Sequence, residues 1–291
     1  MNIPIWNLKK QNAILGWKLV LPSIFIIGIL IIYPIMSNVF LSFYDVKMVG
    51  DNTFIGFNNY FNIITDPDFF NSLFTSIIYV LSTTIGTTLL GLGVALVMNK
   101  EFKLRWLARS LILLPYIAPV ISVVFAWKFI FDPVNGIFMH ITVENLHLFS
   151  ERFNLIGDPK YSLIVVIVFS IWKNFPFAYL MLLGTLQSID TSCYEAADID
   201  GASARQKFYY ITLPYLKFVL GSLIILRLIW NFNKFEEVYL LTTSVKVLPV
   251  YTYFKAFTGA FEMGQGAAIA LIQFFILIFF ILIYVKKVLK W

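Results

Sequence analysis

The stretch EAADIDGASARQKFYYITLP, residues 195–214, is a polar segment in a chain whose other long stretches are mostly apolar. Its Glu-Ala-Ala start consists of strong helix formers, so the segment is predicted to begin in a short helix. Gly201 has no Cβ and suits a sharp turn or a close backbone contact. The residues after it are again compatible with a helix, and Pro214 stands at the start of the next apolar run, where its missing N–H is tolerated. The stretch therefore predicts two short helices around a glycine.

The composition around this segment is that of an integral membrane protein. Hydrophobic residues make up 59% of the chain and charged residues 13%, whereas soluble proteins carry about a quarter charged residues. The single cysteine, Cys193, excludes a disulfide framework and a cysteine-based metal cluster. With only His140 and His147 in addition, no metal site is expected. The net charge of +6 is attributed to the ends of membrane spans and not to nucleic-acid binding.

Six apolar runs are long enough to form membrane-spanning helices, since about 20 helical residues cross roughly 30 Å of hydrocarbon. Residues 1–18 are mixed in character and are predicted to form an arm at the membrane interface. The second run is rich in Ser, Thr and Gly and is expected at the centre of the bundle. The third contains Pro115 and Pro119 and is expected to be bent or unwound. The predicted spans cover about residues 19–43, 72–98, 106–131, 161–186, 215–241 and 264–285.

The basic residues predict the orientation of these spans. If the N-terminus lies inside, inner segments hold roughly twice as many Lys and Arg as outer segments, as the positive-inside rule requires. Both termini and residues 195–214 are then cytoplasmic.

The spacing within residues 195–214 also resembles the EAA loop of membrane permeases in ATP-binding cassette (ABC) importers. The pattern is Glu-Ala-Ala, three residues, Gly, nine residues, then Ile-x-Leu-Pro. The Asp-Gly-Ala-Ser run around the glycine resembles the carbohydrate-importing branch of that family, as do FIGFNNYFNII before the second span and RSLILLPYIAPVISVVFAWKFIFDPVNG in the third. The positions taken as ATPase-coupling residues by this resemblance are Glu195, Ala196, Ala197, Asp200, Gly201, Ala202, Ile211, Leu213 and Pro214.

The resemblance implies an all-α fold with six transmembrane helices, the type I ABC importer permease fold, within residues 19–291. It implies a permease subunit in a bacterial or archaeal cytoplasmic membrane, importing a sugar or oligosaccharide. The implied partners are a second homologous permease, two ATPase subunits that bind the ATP, and an extracytoplasmic solute-binding protein. The chain itself is then not an enzyme and holds no cofactor. One departure is Thr243-Ser-Val-Lys-Val-Leu-Pro249, which replaces the Gly-Gly-Pro stretch usual after the fifth span.

Polar and aromatic residues at mid-membrane depth are candidates for the substrate path. Amides and indoles suit a neutral sugar, because they hydrogen-bond hydroxyls and stack on the ring face. The alternative role is that these side chains hold helices together. The nearby cations Lys173, Arg227 and Lys234 are expected to pair with Glu236, Glu237 or backbone carbonyls. The candidates, which we call the polar band, are Trp172, Asn174, Trp230, Asn231, Asn233 and Gln273.

Other functions are less well supported by the sequence. A secondary transporter predicts paired intramembrane acids and an internal repeat, and a membrane enzyme predicts a cluster of His, Asp or Ser at one depth; the sequence offers none of these. An importer of another solute, such as glycerol phosphate or an amino acid, stays open, because Arg227 and Lys173 are compatible with an anionic substrate.

Overall fold

A computed structural model describes residues 5–46, 52–259 and 261–288, and within them the chain is mainly helical. Long apolar stretches form helices because all backbone hydrogen bonds are then satisfied within the segment, as a membrane requires. Five helices or helical runs in the described residues are long and apolar enough to cross a membrane. A pair of helices joined by a sharp bend brings the number to six if it is counted as one span. The elements fall into two compact units.

The elements of the chain are as follows. The helices are α1 (Ile5–Ile27), α2 (Tyr33–Leu41), α3 (Asn58–Thr65), α4 (Pro67–Asn99), α5 (Arg105–Ile112), α6 (Leu114–Ile117), α7 (Val120–Ile130), α8 (Ile137–Met139), α9 (Pro159–Gln187), α10 (Thr191–Ile199), α11 (Ala204–Lys207), α12 (Leu213–Phe232), α13 (Glu236–Leu241), α14 (Leu248–Phe257) and α15 (Met263–Val288). Two short strands, β1 (Tyr44–Asp45) and β2 (Thr53–Phe54), pair antiparallel, and π-helical turns cover Gly28–Ile32, His140–Asn145 and Phe208–Thr212.

The first unit comprises the described residues within 1–66 and 252–274. Its first span runs through Ala13–Leu41 without burying any of its apolar window. The helix begins at Ile5, so the predicted interfacial arm is continuous with the span where the structure describes it, and residues 1–4 lie outside the described residues. The π turn Gly28–Ile32 stands directly before Pro34, whose ring interrupts the regular hydrogen-bond ladder.

The buried amide of Asn59 organises the polar end of this unit. Its Nδ2 donates to the carbonyl oxygens of Ser42 and Tyr44, both at 2.9 Å, and so fastens α3 to the chain that leads into β1. The position of α15 is set by close approach, since a Cβ on Gly264 would collide with the carbonyl oxygen of Tyr44.

The second unit comprises the described residues within 67–251 and 275–291, and α4, α9 and α12 form its centre. The expected central position of the second span, α4, is confirmed within this unit. Gly91 lets the two long helices touch, because a Cβ there would lie 2.7 Å from Ala178 Cβ and 2.9 Å from the Tyr179 nitrogen. The apolar core that results consists of Ala95, Phe175, Ala178, Tyr179, Leu182, Leu183, Leu186, Ile189, Leu216 and Leu223.

Hydroxyl groups on α4 are buried without loss of hydrogen bonding. Thr83, Thr87 and Thr88 each donate to the carbonyl one turn earlier, at 2.6, 2.7 and 2.8 Å. The helix thus presents small side chains to its neighbours with no unsatisfied hydroxyl at these positions.

Two predicted spans differ from a single straight helix. The third is broken between Arg105–Ile117 and Val120–Ile130, which meet at 93°, as its two prolines predict. The fifth span is formed by α12, which ends at Phe232 and not near residue 241 as predicted. A helical break follows at Asn233, and the separate helix α13 covers the remainder. Beyond this break the buried carboxylate of Glu237 accepts a hydrogen bond from Asn174 on α9.

Candidate functional site: the EAA segment and a buried charge cluster

The EAA segment, residues 195–214, is preceded by a capped helix start. Asp190 is the N-cap of α10, and its Oδ1 accepts a hydrogen bond from the Ser192 backbone nitrogen at 3.0 Å. That hydrogen bond holds the pKa of the Asp190 carboxyl below its usual value, because it favours the charged form. A carboxylate at this end also complements the helix dipole, so α10 has a fixed beginning.

The turn around Gly201 is a complete helix-ending motif. Gly201 has φ +73°, its nitrogen donates to the Asp198 carbonyl at 3.1 Å, and the Ala202 nitrogen donates to the Ala197 carbonyl at 2.9 Å. These are the two hydrogen bonds of a Schellman motif, which needs a residue that tolerates positive φ. Glycine is required here for the turn, and a Cβ at this position would meet no atom within 4 Å.

The second short helix begins immediately after the turn. Ser203 and Gln206 form a capping box, in which each side chain satisfies the other's backbone nitrogen. Lys207 then reaches back to Asp198, with a distance of 2.6 Å from Nζ to Oδ1, and links α11 to α10 across the turn. These contacts were not predicted from the sequence, although Ser-Ala-Arg-Gln is a readable capping-box signature.

The far end of the segment joins the membrane helices. The π turn Phe208–Thr212 leads into α12, where Pro214 occupies the first turn, and the Tyr194 and Thr212 hydroxyls are 2.9 Å apart. Tyr194 and Ile211 also pack against the apolar core of the second unit. The segment is therefore a rigid projection with a short connection to α9 and α12.

The predicted coupling residues divide between the two faces of this projection. Ile211 and Leu213, near α12, are half-buried, and Pro214 beside them is exposed. Ala197 and Ala202, on either side of the turn, are also half-buried. Ile199, at the end of α10, and Tyr210, in the π turn, are 88% and 80% exposed, and these exposed apolar side chains were not predicted from the sequence. The predicted residues on its exposed face are Glu195, Ala196, Asp200 and Gly201.

The polar band is only partly brought together. Asn174 Nδ2 donates to Glu237 Oε2 at 3.1 Å, and Asn231 Nδ2 donates to Thr84 Oγ1 at 3.1 Å, so both amides link helices. Trp172 is half-buried against Trp127. Asn233 is exposed and donates to its own helix. Gln273 is buried in α15, in the first unit.

A charge cluster lies among these residues, and we call it the buried charge cluster. It consists of Lys173, Arg227 and Glu237, which are buried, and Lys234, which is half-buried. Lys234 Nζ contacts Glu237 Oε1 at 2.8 Å, as predicted, and Arg227 donates to the carbonyl oxygen of Asn174. Lys173 Nζ donates to the carbonyl oxygens of Pro115 and Ala118, at 3.1 and 3.0 Å. The expected pairing with Glu237 or carbonyls is thus confirmed, whereas Glu236 is exposed.

Lys173 is expected to stabilise the fold, because its ammonium group donates hydrogen bonds to carbonyl oxygens at the break between α6 and α7. Replacing Lys173 with Met is expected to lower the melting temperature of the purified chain, since two buried carbonyls lose a donor and each costs about 1–3 kcal/mol. Lys128→Met, at an exposed position on α7, is the matched control and is expected to leave it unchanged. Equal melting temperatures for the two variants would contradict this role for Lys173.

The chain matches a known protein family and named relatives over most of its length. A family model described as "binding-protein-dependent transport system inner membrane component" matches residues 87–290. The chain is 42% identical to the inner membrane ABC transporter permease protein YcjO of Escherichia coli (strain K12), over 93% of the chain and 92% of that protein. It is 32% identical to the trehalose/maltose transport system permease protein MalF of Thermococcus litoralis, over 96% of the chain and 95% of that protein.

A solved structure shares the fold. The chain superposes with a TM-score of 0.78 and 21% identity on a chain of a bacterial alginate ABC transporter in complex with an alginate pentasaccharide-bound periplasmic protein. The match covers 95% of this chain and 96% of that one. The arrangement of helices is therefore that of an ABC importer permease.

Proposed function

The chain belongs to the family of binding-protein-dependent transport system inner membrane components, and on that premise we propose that it forms one half of the translocation path of an ATP-driven importer. The solute we propose is a sugar or oligosaccharide, delivered by an extracytoplasmic binding protein. The relative named for trehalose and maltose supports this substrate class. The observation that carries the proposal is the family match over residues 87–290, which contains the whole EAA segment.

The proposed assembly contains a second, similar permease and two ATPase subunits. The chain is oriented with both termini and the EAA segment in the cytoplasm of a bacterial or archaeal cell, in line with the distribution of Lys and Arg. ATP is bound and hydrolysed on the ATPases, so this chain contributes the path and not the chemistry.

The rigidity of the EAA segment supports a coupling role. Its turn, its capping box and the Lys207–Asp198 ion pair fix α10 relative to α11, so a push on the exposed face moves both helices together. The base of the segment packs on the core around α9 and α12. Closure of the ATPases would thereby turn those two helices and change the side of the membrane to which the path opens.

A pull-down of the tagged chain from native membranes in mild detergent tests the assembly. We expect an ATPase and a second permease to co-purify, and uptake by the reconstituted complex to require ATP. If the purified chain is alone and still moves solute into liposomes without ATP, the proposal is wrong.

The substrate class is tested separately by uptake of labelled trehalose, maltose, longer oligosaccharides and glycerol phosphate. ATP-dependent uptake of at least one sugar is the expected result. Uptake of glycerol phosphate alone would contradict the sugar assignment and leave the importer assignment intact.

A further inference from the structure

We propose that Arg227 binds an anionic group of the imported sugar, so that this permease accepts acidic sugars, such as uronates or sugar phosphates. This inference rests on the proposed function, because it names the substrate class of the same path. It begins with the balance of the buried charge cluster, which holds three cations and one carboxylate.

Two of the three cations have adequate partners within the chain. Lys234 is paired with the Glu237 carboxylate, which also accepts from Asn174. Lys173 donates to the two carbonyl oxygens at the break of the third span. The single carboxylate is therefore in direct contact with other residues, and it attracts Arg227 without forming an ion pair with it.

Arg227 is buried and incompletely satisfied. Its side chain is among the largest fully buried ones, and the residue is 2% exposed. It donates to the Asn174 carbonyl oxygen, but its Nε has no hydrogen-bond partner, and no carboxylate lies within 4.0 Å of the guanidinium in the part of the chain that the structure describes. A guanidinium stays protonated in proteins, so a buried charge without a direct ion pair remains at this position.

The surroundings of Arg227 fit a sugar that carries an anion. The guanidinium carbon lies 5.1 Å from the centre of the Phe177 ring and 5.7 Å from that of the Trp230 ring. Trp230 is one helical turn further along α12 and is 42% exposed, so an indole is accessible beside the buried charge. An indole stacks on the apolar face of a sugar ring, and a guanidinium fork matches the two oxygens of a carboxylate or phosphate. A carboxylate or phosphate gains a charge interaction with the guanidinium that a neutral hydroxyl does not, so the charge of Arg227 favours an acidic sugar.

The test measures uptake in cells of the native source, with the chromosomal copy intact, deleted or replaced by a variant. The labelled probes are three matched pairs: glucose with glucuronate, galactose with galacturonate, and glucose with glucose 6-phosphate. Uptake by this permease is the part that is lost on deletion. We expect at least one acid to be taken up faster than its neutral parent. Arg227→Gln should lower uptake of that acid by about 10- to 100-fold, the range of a hydrogen bond to a charged group, while uptake of its neutral parent changes by less than about twofold.

Two further variants sharpen the result. Arg227→Lys keeps the charge without the planar fork and is expected to be intermediate for the acid. Lys128→Gln removes an exposed cation and should leave both members of each pair unchanged. If no acid is preferred, or if Arg227→Gln lowers both members of a pair equally, the inference is wrong; the second outcome indicates that Arg227 pairs with an acid of the partner permease. If no sugar of either kind depends on the chain, the proposed sugar importer fails first, and the inference fails with it.

Discussion

Glu195→Lys is expected to reduce ATP-driven uptake by at least about 100-fold, because reversing a charge at a docked surface leaves both partners without compensation. Glu195 lies on the exposed face of α10 and makes no hydrogen bond or ion pair with the described residues of the chain. Lysine is a good helix former, so the substitution should preserve α10 itself. The measurement compares uptake with the amounts of inserted chain and of co-purified ATPase.

The control for this variant is Glu101→Lys, which reverses another exposed carboxylate on the same predicted side of the membrane. It is expected to transport normally. Gly201→Asp provides a second test, because a side chain strains the positive-φ turn between α10 and α11 even though its Cβ would meet no atom of the chain. Its expected loss of uptake would therefore show that the shape of this turn is needed for coupling. Wild-type uptake by both EAA variants would show that this segment does not couple ATP hydrolysis to transport.

The EAA segment was predictable from sequence because its determinants are local. The helix formers before Gly201 and the glycine itself specify a helix, a turn and a second helix within a few residues. The link between Asp198 and Lys207 was not predicted, because it depends on how closely the turn brings the two helices together. The local pattern thus defines the elements, and the folded turn supplies the rigidity.

The limits of the six spans were less predictable where polar residues enter the interior. Because hydropathy is averaged over a window of residues, it does not register the break at Asn233. The predicted fifth span therefore continues through the break. The folded chain ends the helix at Phe232, and beyond the break the carboxylate of Glu237 contacts Lys234 and Asn174. A carboxylate in an otherwise apolar run is the signal for such a break, but its partner on α9 cannot be read from spacing.

The polar band illustrates a similar limit. Composition and depth select Asn174 and Asn231 correctly as interior residues, yet depth does not show which neighbour each amide meets. In the folded chain they hold α13 and α4, respectively, while Trp230 keeps an exposed ring. Their contact with substrate remains a prediction, and the role in holding helices together is already visible for both amides.

The contact between α4 and α9 should be the part of the second unit that is most sensitive to an added side chain. Gly91→Leu is expected to destabilise the chain by about 2 kcal/mol or more, because overpacking of this kind forces the backbones apart. The atoms in the way are Ala178 Cβ at 2.7 Å and the Tyr179 backbone nitrogen at 2.9 Å, neither of which can move without the helix. In a chain of this size, the loss corresponds to a decrease of roughly 4–8 °C in melting temperature.

Gly93→Leu is the matched control, since Gly93 is exposed on the same helix and a Cβ there would meet no atom within 4 Å. Leucine is also a better helix former than glycine, so this variant should be as stable as the wild type or slightly more stable. Melting temperatures in detergent, followed by size-exclusion chromatography with fluorescence detection, compare the two. A lower melting temperature for Gly91→Leu alone would place the packing constraint at the seam between α4 and α9. Equal values would mean that the two helices separate without cost, and the seam would then be unable to transmit movement from α10 to the rest of the unit.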